Sequence, residues 1–361
     1  MTRNSTGAKP ARRWVTGGVD THGDTHHAAV ILMNGRRLAD REFPATHDGY
    51  AQLWAWLGSF GRVRAVGVEG TGSYGAGLAR HLHAAGVKVI EVNRPDRRQR
   101  RAKGKSDPLD AYAAAEQVQA GKATAAPKLG TGAAEAARVL HATRAGAVKA
   151  RTAAVNELKA VLVTAPAGLR DQLRYLRTPK LITACAQLAA DATGSAERAT
   201  RYALAALARR CQQLSAEITG LDTQLKTVLD QACPTMLAKR GIGYETTAQF
   251  LSTAGDNPHR LRREPSFAAL TGAPPVPASS GKTKRHRLSR GGDRQANRAL
   301  HMIVCTRLAC DPATRAYAQR RTAEGLTKKE IIRCLKRYVA REVYKALTSD
   351  LNNLKDLVTV A

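Results

Sequence analysis

The sequence predicts an α/β N-terminal domain, then an all-α coiled-coil spacer and a mainly α-helical C-terminal domain. Strand-like and helix-like runs alternate over residues 14–129. Strand signals then vanish from about Gly130 to Gln231, where Ala, Leu, Arg and Gln dominate. Helical patterns continue beyond Pro234, where a Pro- and Ser-rich loop interrupts them. A chain of 361 residues is long enough for two or three such domains.

The N-terminal domain begins with three predicted antiparallel strands. Residues 1–13 form a basic tail that we expect to be disordered. Strands are predicted from Trp14 to Asp20, from His26 to Met33 and near Arg37 to Phe43. The dipeptide Asn34-Gly35 between the last two is typical of a tight hairpin whose two central residues both have positive φ.

Helices and strands alternate after these three strands. A helix is predicted from His47 to about Phe60, and the strand RVRAVGVEG ends at Glu69. A second helix, from about Tyr74 to Ala85, precedes the fifth strand, VKVIEVN. A third helix begins near Asp107. Three antiparallel strands followed by alternating helices and strands are the order expected of a ribonuclease-H-like fold.

The rest of the chain is predicted to be helical. We place a spacer at residues 130–233, and apolar residues spaced by three and four over 196–229 favour a helical hairpin or short coiled coil, with a possible dimer contact. An ordinary amphipathic bundle fits the same spacing. The C-terminal domain, residues 234–361, has predicted helices at 295–310 and 328–347.

The charge of the chain points to nucleic acid. Its 58 Lys and Arg against 29 acidic residues give a formal charge of +29, which a polyanionic partner would neutralise. Two stretches, 94–105 and 282–298, each hold seven Lys or Arg and one Asp. The residues that we expect to contact phosphates are Arg97, Arg98, Arg100, Arg101, Lys103, Lys105, Lys282, Lys284, Arg285, Arg287, Arg290 and Arg294.

Other sequence features narrow the cellular setting. The six cysteines lack the spacing of a zinc site and lie in Ala- and Leu-rich helical sequence, which favours a reducing compartment. The basic N-terminus has no apolar core of a signal peptide, and no uncharged apolar run is long enough to span a membrane. We therefore expect a cytoplasmic, nucleoid-associated protein with no membrane partner.

Four carboxylates fall at the ends of predicted elements. Asp20 ends the first strand and Glu69 the fourth, two strands that are neighbours in a ribonuclease-H-like sheet. Asp107 precedes Pro108, so we predict Asp107 as the cap of the third helix, with Asp110 on the same face. Carboxylates gathered at one point repel each other unless a cation lies among them, and Mg²⁺ prefers all-oxygen sites. We expect two Mg²⁺ ions, which suits a phosphodiester displacement.

Motifs at both ends of the chain resemble one known family. The strings GVDTH, GVEGTGSYG and KSDPLDA resemble the RuvC-like domain of the DEDD transposases of bacterial insertion sequences. The stretch from FLSTAGDNP to GGDRQANRAL resembles the second conserved domain of that family. The resemblance implies that Asp20, Glu69, Asp107 and Asp110 bind the metal.

The resemblance also implies a serine nucleophile and an RNA partner. In the family a serine before a glycine is thought to attack DNA and stay joined to it as a phosphoserine, and Ser280 before Gly281 matches this motif. The doublet Ser279-Ser280 leaves the choice open by one residue. Family members are guided by a structured RNA that pairs with donor and target DNA, and their protomers assemble into tetramers. A homo-oligomer, from dimer to tetramer, is therefore expected.

Three other functions fit parts of this pattern. A Holliday-junction-resolvase-like nuclease would use the same acids with water as the nucleophile, and it would not need Ser280. A non-catalytic nucleic-acid-binding protein would have the same charge but no need for the four acids. A tyrosine recombinase is disfavoured, because nothing around Tyr317, Tyr338 or Tyr344 resembles an Arg-His-Arg catalytic set.

Overall fold

The computed structural model divides the chain into two compact units. The first comprises residues 1–130 and 255–260, and the second comprises residues 131–254 and 261–361. The structure describes residues 13–92, 106–128, 130–188, 195–256, 261–281 and 285–360, with side chains up to residue 354. Most of the predicted tail, the basic stretch 94–105, and Lys282 and Lys284 lie outside the described residues.

A five-stranded mixed sheet forms the centre of the first unit. Its strands are β1 (Trp14–Thr21), β2 (Thr25–Leu32), β3 (Arg37–Pro44), β4 (Arg62–Glu69) and β5 (Val89–Val92). The order across the sheet is β3-β2-β1-β4-β5, with β1 antiparallel to β2 and parallel to β4. The predicted succession of strands and helices is confirmed, and it is compatible with a ribonuclease-H-like fold.

The turn between β2 and β3 differs from the prediction. Gly35 has a φ of 84°, but Asn34 does not share the left-handed conformation, so the predicted pair of positive φ angles is wrong. The Asn34 side chain instead accepts a hydrogen bond from the Arg36 N–H at 3.1 Å. With this local hydrogen bond, the turn needs only one residue in the left-handed conformation. Gly35 adopts that conformation without steric cost.

Helices cover both faces of the sheet. On one face, α1 (His47–Ser59) and α2 (Ala76–Ala84) bury Leu53, Leu57, Leu78 and Leu82 against valines of the strands. On the other face, α3 (Asp107–Gln119) packs Ala111, Tyr112 and Ala115 against β2. Because side chains alternate along a strand, every second residue of β1 and β4 faces α3.

Two glycines let α3 lie directly on the sheet. A Cβ atom on Gly18 of β1 would come within 2.2 Å of the Ala111 carbonyl oxygen and 2.4 Å of the Ala115 nitrogen. A Cβ atom on Gly67 of β4 would lie 2.7 Å from the Val118 side chain. No Cβ atom tolerates backbone at 2.2 Å, so these positions require glycine as long as α3 keeps its place.

Replacing Gly18 with alanine is expected to destabilise the first unit by about 1–3 kcal/mol, because the added methyl group pushes α3 off the sheet. Urea unfolding followed by circular dichroism measures this. Gly58→Ala is the matched control: nothing lies within 4 Å of its added Cβ, and alanine favours a helix by up to about 1 kcal/mol. Equal stability of the Gly18→Ala variant and the wild type would contradict this packing.

Helices and one short hairpin make up the described part of the second unit. The helices are α4 (Ala133–Val163), α5 (Ala167–Leu173), α6 (Thr178–Ala186), α7 (Ala196–Ala232), α8 (Pro234–Leu237), α9 (Tyr244–Ala254), α10 (Glu264–Leu270), α11 (Arg294–Cys310), α12 (Pro312–Ala323) and α13 (Lys328–Val360). The hairpin pairs β6 (Val276–Pro277) with β7 (His286–Arg287). No helix in the described residues is long and apolar enough to cross a membrane.

The second unit has two hydrophobic cores. The larger core joins the α8–α13 region to the ends of the two long helices, with Ala137 of α4 and Leu229 of α7 buried beside Phe250 and Phe267. The smaller core fills the opposite ends of the long helices, around Leu158 and residues of α5 and α6. The predicted helices are confirmed, although α13 extends beyond the predicted end at 347. The coiled coil and the division into 130–233 and 234–361 stay predictions.

Candidate metal centre and serine hairpin

Strand register places Asp20 beside Glu69. β1 and β4 run parallel with Val19 opposite Val68, so the next residues, Asp20 and Glu69, lie near the ends of neighbouring strands on the same face of the sheet. The Thr21 hydroxyl donates a hydrogen bond to the Glu69 carbonyl oxygen at 2.8 Å and ties the two strand ends together. Both acids lie two residues beyond the glycines that contact α3, and so they face that helix.

The first turn of α3 adds two more acids to this edge. Ser106 is the N-cap, with extended φ and ψ of −152° and 151°, so Asp107 is the first helical residue. The prediction that Asp107 itself caps the helix is therefore wrong by one residue. The backbone follows helical geometry from Asp107 onward because Pro108, with its fixed φ, fits the first turn and needs no N–H partner there.

Asp20 lies in an environment that disfavours its negative charge. Its residue is 7% exposed. Burial raises the pKa of the Asp20 carboxyl, the charges of Asp110 and Asp107 raise it further, and His22 opposes them. The Oδ2 atom of Asp20 is buried and has no hydrogen-bond partner among the described residues. A carboxylate oxygen left in this way is a ready ligand for a cation.

His22 belongs to the same cluster. Its Nδ1 atom lies 3.8 Å from Asp20 Oδ2, and one ligand atom each from Asp20, His22 and Asp107 lie within 4.8 Å of one another. The sequence alone does not mark it as a ligand, because the spacing of the histidines matches no metal motif. The available signal was its position two residues after Asp20, at the end of the same strand.

The donor set suits a divalent cation. The closest ligand group consists of Asp20, His22 and Asp107. Asp110 is buried and close enough to Asp20 to raise its pKa, while strand register brings Glu69 to the same edge. Of the four acids that the sequence singles out, three therefore interact electrostatically, and the fourth is the strand neighbour of Asp20.

The β6–β7 hairpin presents the serine doublet of the second unit. The Ser279 hydroxyl accepts a hydrogen bond from the Arg285 N–H at 3.2 Å and lies 3.4 Å from the Arg285 carbonyl oxygen. Ser280 is exposed, and its hydroxyl has no hydrogen-bond partner among the described residues. Gly281 follows with a φ of 54°, a conformation that favours glycine. The hairpin therefore occupies one hydroxyl of the doublet and leaves the next one accessible.

Four of the predicted phosphate-contacting residues are described, and all four are exposed. They belong to the hairpin and the segment after it: Arg285, Arg287, Arg290 and Arg294. The first two carry no ion pair among the described residues. The other eight lie outside the described residues.

Two family models match this chain. Residues 17–165 match a model described as a transposase and named for the DEDD transposases of IS110 type. Residues 235–319 match a model described as the transposase IS116/IS110/IS902 family. Together the two models cover more than half of the chain, in the same order as the two resemblances in its sequence.

Two insertion-element proteins are similar to the chain. One is the 42 kDa protein of insertion element IS900 from Mycobacterium paratuberculosis, 24% identical over 378 residues, which cover 90% of this chain and 93% of the relative. The other is the 43.6 kDa protein of insertion element IS110 from Streptomyces coelicolor, 32% identical over 112 residues. That alignment covers 30% of this chain and 27% of the relative.

Proposed function

Because the chain belongs to the IS110-type family of DEDD insertion-sequence transposases, we propose that it cleaves and rejoins DNA by a Mg²⁺-dependent reaction with a covalent phosphoserine intermediate. Asp20, Glu69, Asp107 and Asp110 hold the metal, as two ions. Ser280 is the nucleophile. Membership of the family supports an activity in DNA transposition. The residues named here support the proposed chemistry of the reaction.

The orphaned Oδ2 atom of Asp20 supports the metal site most strongly. A buried carboxylate oxygen costs free energy unless a hydrogen bond or a cation satisfies it. Asp107 and Asp110 add negative charge to the same place, which raises that cost further. A divalent cation converts the repulsion into coordination, and oxygen donors favour Mg²⁺ over softer metals. When bound, the ion stabilises the charge that develops on the phosphate oxygens.

Ser280 supplies the feature that separates a recombinase from a nuclease. Its Oγ atom forms a bond to the phosphorus of the scissile phosphodiester, the bond from phosphorus to the leaving deoxyribose oxygen breaks, and the hydroxyl proton ends on that oxygen. The product is again a phosphodiester, now between the DNA and Ser280. Because the bond broken and the bond formed are of the same kind, the hydroxyl of a second DNA end can attack this ester and rejoin the strand without ATP. The exposure of Ser280 and the engagement of Ser279 within the hairpin support this choice.

Metal dependence is tested with the DNA ends of the element, a target DNA and the RNA transcribed beside the gene. With Mg²⁺, denaturing electrophoresis is expected to show cleaved strands and strands joined to protein. Chelation of the metal is expected to remove both products, and Mg²⁺ added back restores them. Cleavage that persists in excess chelator would contradict the metal site.

The guide RNA and the oligomer form part of this proposal. A structured RNA that pairs with the DNA would supply sequence specificity, while basic residues of the protein contact the phosphates. We expect a dimer in solution or a tetramer on DNA, which light scattering coupled to size-exclusion chromatography measures. Cleavage at the same positions without the RNA would contradict the guiding role.

A further inference from the structure

A cavity of about 640 Å³ lies within the second unit and is lined in part by residues of the serine hairpin, although not by Ser279 or Ser280. One wall is formed by Gly272–Pro275 and Arg285–Ser289, the segments before β6 and around β7. The other lining residues come from α12, the turn after it and the first half of α13. This volume is within the range of pockets that hold a small ligand, roughly 300–1,000 Å³.

The walls of the cavity carry an excess of positive charge. Glu330 is the one carboxylate among the lining residues, and it lies 4.0 Å from Arg333. Arg337 is neutralised by Glu264, which sits outside the cavity. Four further lining cations have no ion pair among the described residues: Arg285, Arg287, Lys336 and Arg341. The cavity is therefore built to receive an anion.

Lys336 is the deepest of these cations. It is 7% exposed, and its Nζ atom donates a hydrogen bond to the Asn297 side-chain oxygen. The Asn297 amide nitrogen donates in turn to the carbonyl oxygens of Thr271 and Gly272 at 2.8 and 2.9 Å, which fixes the orientation of the amide. Burial lowers the pKa of the Lys336 ammonium, so an anion in the cavity would stabilise its charged form.

Two tyrosines line the cavity beside the cations. The rings of Tyr317 and Tyr338 meet edge to face, with centroids 5.7 Å apart. Arg320 lies 5.3 Å from the Tyr317 ring, and Arg341 lies 5.8 Å from the Tyr338 ring. Tyr338 is 54% exposed, so part of its ring is available for stacking. Aromatic faces interleaved with cations are typical of sites for single-stranded nucleic acid.

We propose that this cavity binds one unpaired nucleotide of the DNA strand that Ser280 attacks. The base stacks on Tyr338, and a flanking phosphate is held by Arg285, Arg287 and Lys336. A nucleotide has a flat base, which can stack on the tyrosine ring, and a phosphate, which the cations can bind. An acidic peptide would engage the cations but would leave the tyrosine face without a matching partner.

The hairpin connects the cavity to the serine. Arg285 lines the cavity, and its backbone N–H donates to the hydroxyl of Ser279, the residue before Ser280. A strand seated in the cavity would therefore run along the hairpin that presents the nucleophile. The identity of the strand rests on the proposed function, whereas the binding of an unpaired nucleotide does not.

The test uses the full chain in chelator, so that no strand is cut. A short fluorescent oligothymidylate is titrated with protein at moderately high salt, which suppresses phosphate contacts elsewhere on this basic chain. Tyr338→Ala is expected to weaken binding between about fivefold and a hundredfold, the cost of one lost base stack. Tyr175→Ala is the matched control, because Tyr175 is 79% exposed and also has an arginine over its ring, at 4.5 Å, but lies outside the cavity.

A parallel pair of variants tests the phosphate contact. Arg287→Ala is expected to weaken binding severalfold and to reduce its salt dependence by about one phosphate contact. Arg209→Ala removes an exposed arginine from α7, outside the cavity, and is expected to leave the affinity unchanged. Equal effects of the cavity variants and their controls would overturn the proposal, as would a larger effect of Tyr338→Ala on the binding of oligouridylate RNA or of duplex DNA than on that of oligothymidylate.

Photocrosslinking separates this inference from the proposed function. Oligothymidylate carrying 5-iodouracil is expected to crosslink to Tyr338, and a crosslink that maps outside the cavity would overturn the proposal. If Tyr338-dependent binding holds but Ser280 forms no adduct with DNA, the proposed function fails and the nucleotide site stands. If Ser280 forms its adduct normally in Tyr338→Ala and the crosslink is elsewhere, the cavity proposal alone fails.

Discussion

Asp20→Asn is expected to abolish DNA cleavage while it makes the metal-free protein more stable. Asparagine keeps the shape of the side chain but removes a metal ligand, and a metal ion contributes several kcal/mol to transition-state stabilisation. The rate of strand cleavage should fall about a thousandfold or more. Stability should rise because burial and the charges of Asp110 and Asp107 oppose ionisation of Asp20 in the folded state.

The pH dependence of stability has a definite sign. Since the pKa of Asp20 is raised on folding, the folded state binds more protons than the unfolded state between the two pKa values. The contribution of Asp20 to the free energy of unfolding therefore falls as pH rises from its usual pKa through the raised one. The penalty is fully present above the raised pKa, where Asp20→Asn relieves it.

Thermal unfolding with and without Mg²⁺ measures the stability of the variant and its loss of metal binding. Mg²⁺ should raise the Tm of the wild type and leave that of Asp20→Asn nearly unchanged, because binding to the folded state alone is what stabilises it. Asp24→Asn is the matched control, since Asp24 is an exposed carboxylate in the neighbouring turn. A variant at Asp20 that cleaves DNA normally, or that still gains the full stabilisation from Mg²⁺, would contradict the site.

Ser280→Ala is expected to eliminate the protein–DNA adduct and strand joining. Without the hydroxyl, no phosphate ester to the protein can form. A second DNA end then has no protein-linked intermediate to attack, so the strands cannot be joined. Ser279→Ala removes a hydroxyl that bonds to Arg285 and should loosen the hairpin while leaving the adduct in place. Electrophoresis under denaturing conditions separates free from protein-linked strands.

The two serine variants also distinguish the recombinase from the water-using nuclease. Cleavage by Ser280→Ala at the wild-type rate, with free ends and no adduct, would indicate that water is the nucleophile. Loss of the adduct in Ser279→Ala with normal adduct in Ser280→Ala would reverse the assignment within the doublet. Folding of each variant is checked by its unfolding transition.

The sequence predicted the first unit well because its signals are local. Short runs rich in apolar residues and small residues identify β1 and β2, and Asp20 and Glu69 stand at the ends of predicted strands. Their proximity follows from one topological expectation, that the first and fourth strands are neighbours, which the order β3-β2-β1-β4-β5 confirms. The long helix α7 was equally predictable, because its apolar periodicity extends over many turns.

Several features that depend on packing between distant segments were not predicted. His22 reaches Asp107 only because Gly18 and Gly67 let α3 lie on the sheet, and sequence spacing does not reveal that approach. The helix cap is Ser106 and not the predicted Asp107, because serine and aspartate both suit an N-cap position and the sequence does not distinguish them. The cavity beside Lys336 joins α13 to a hairpin about fifty residues earlier in the chain, and no local pattern marks it.

The most direct test of the account is the chemical identity of the protein–DNA bond. The adduct formed with Mg²⁺ is digested with nuclease and protease, and mass spectrometry then locates the remaining nucleotide on the chain. We predict a phosphate ester on Ser280. A nucleotide attached to Ser279 or to a tyrosine such as Tyr338, or free DNA ends with no attached peptide, would contradict the account.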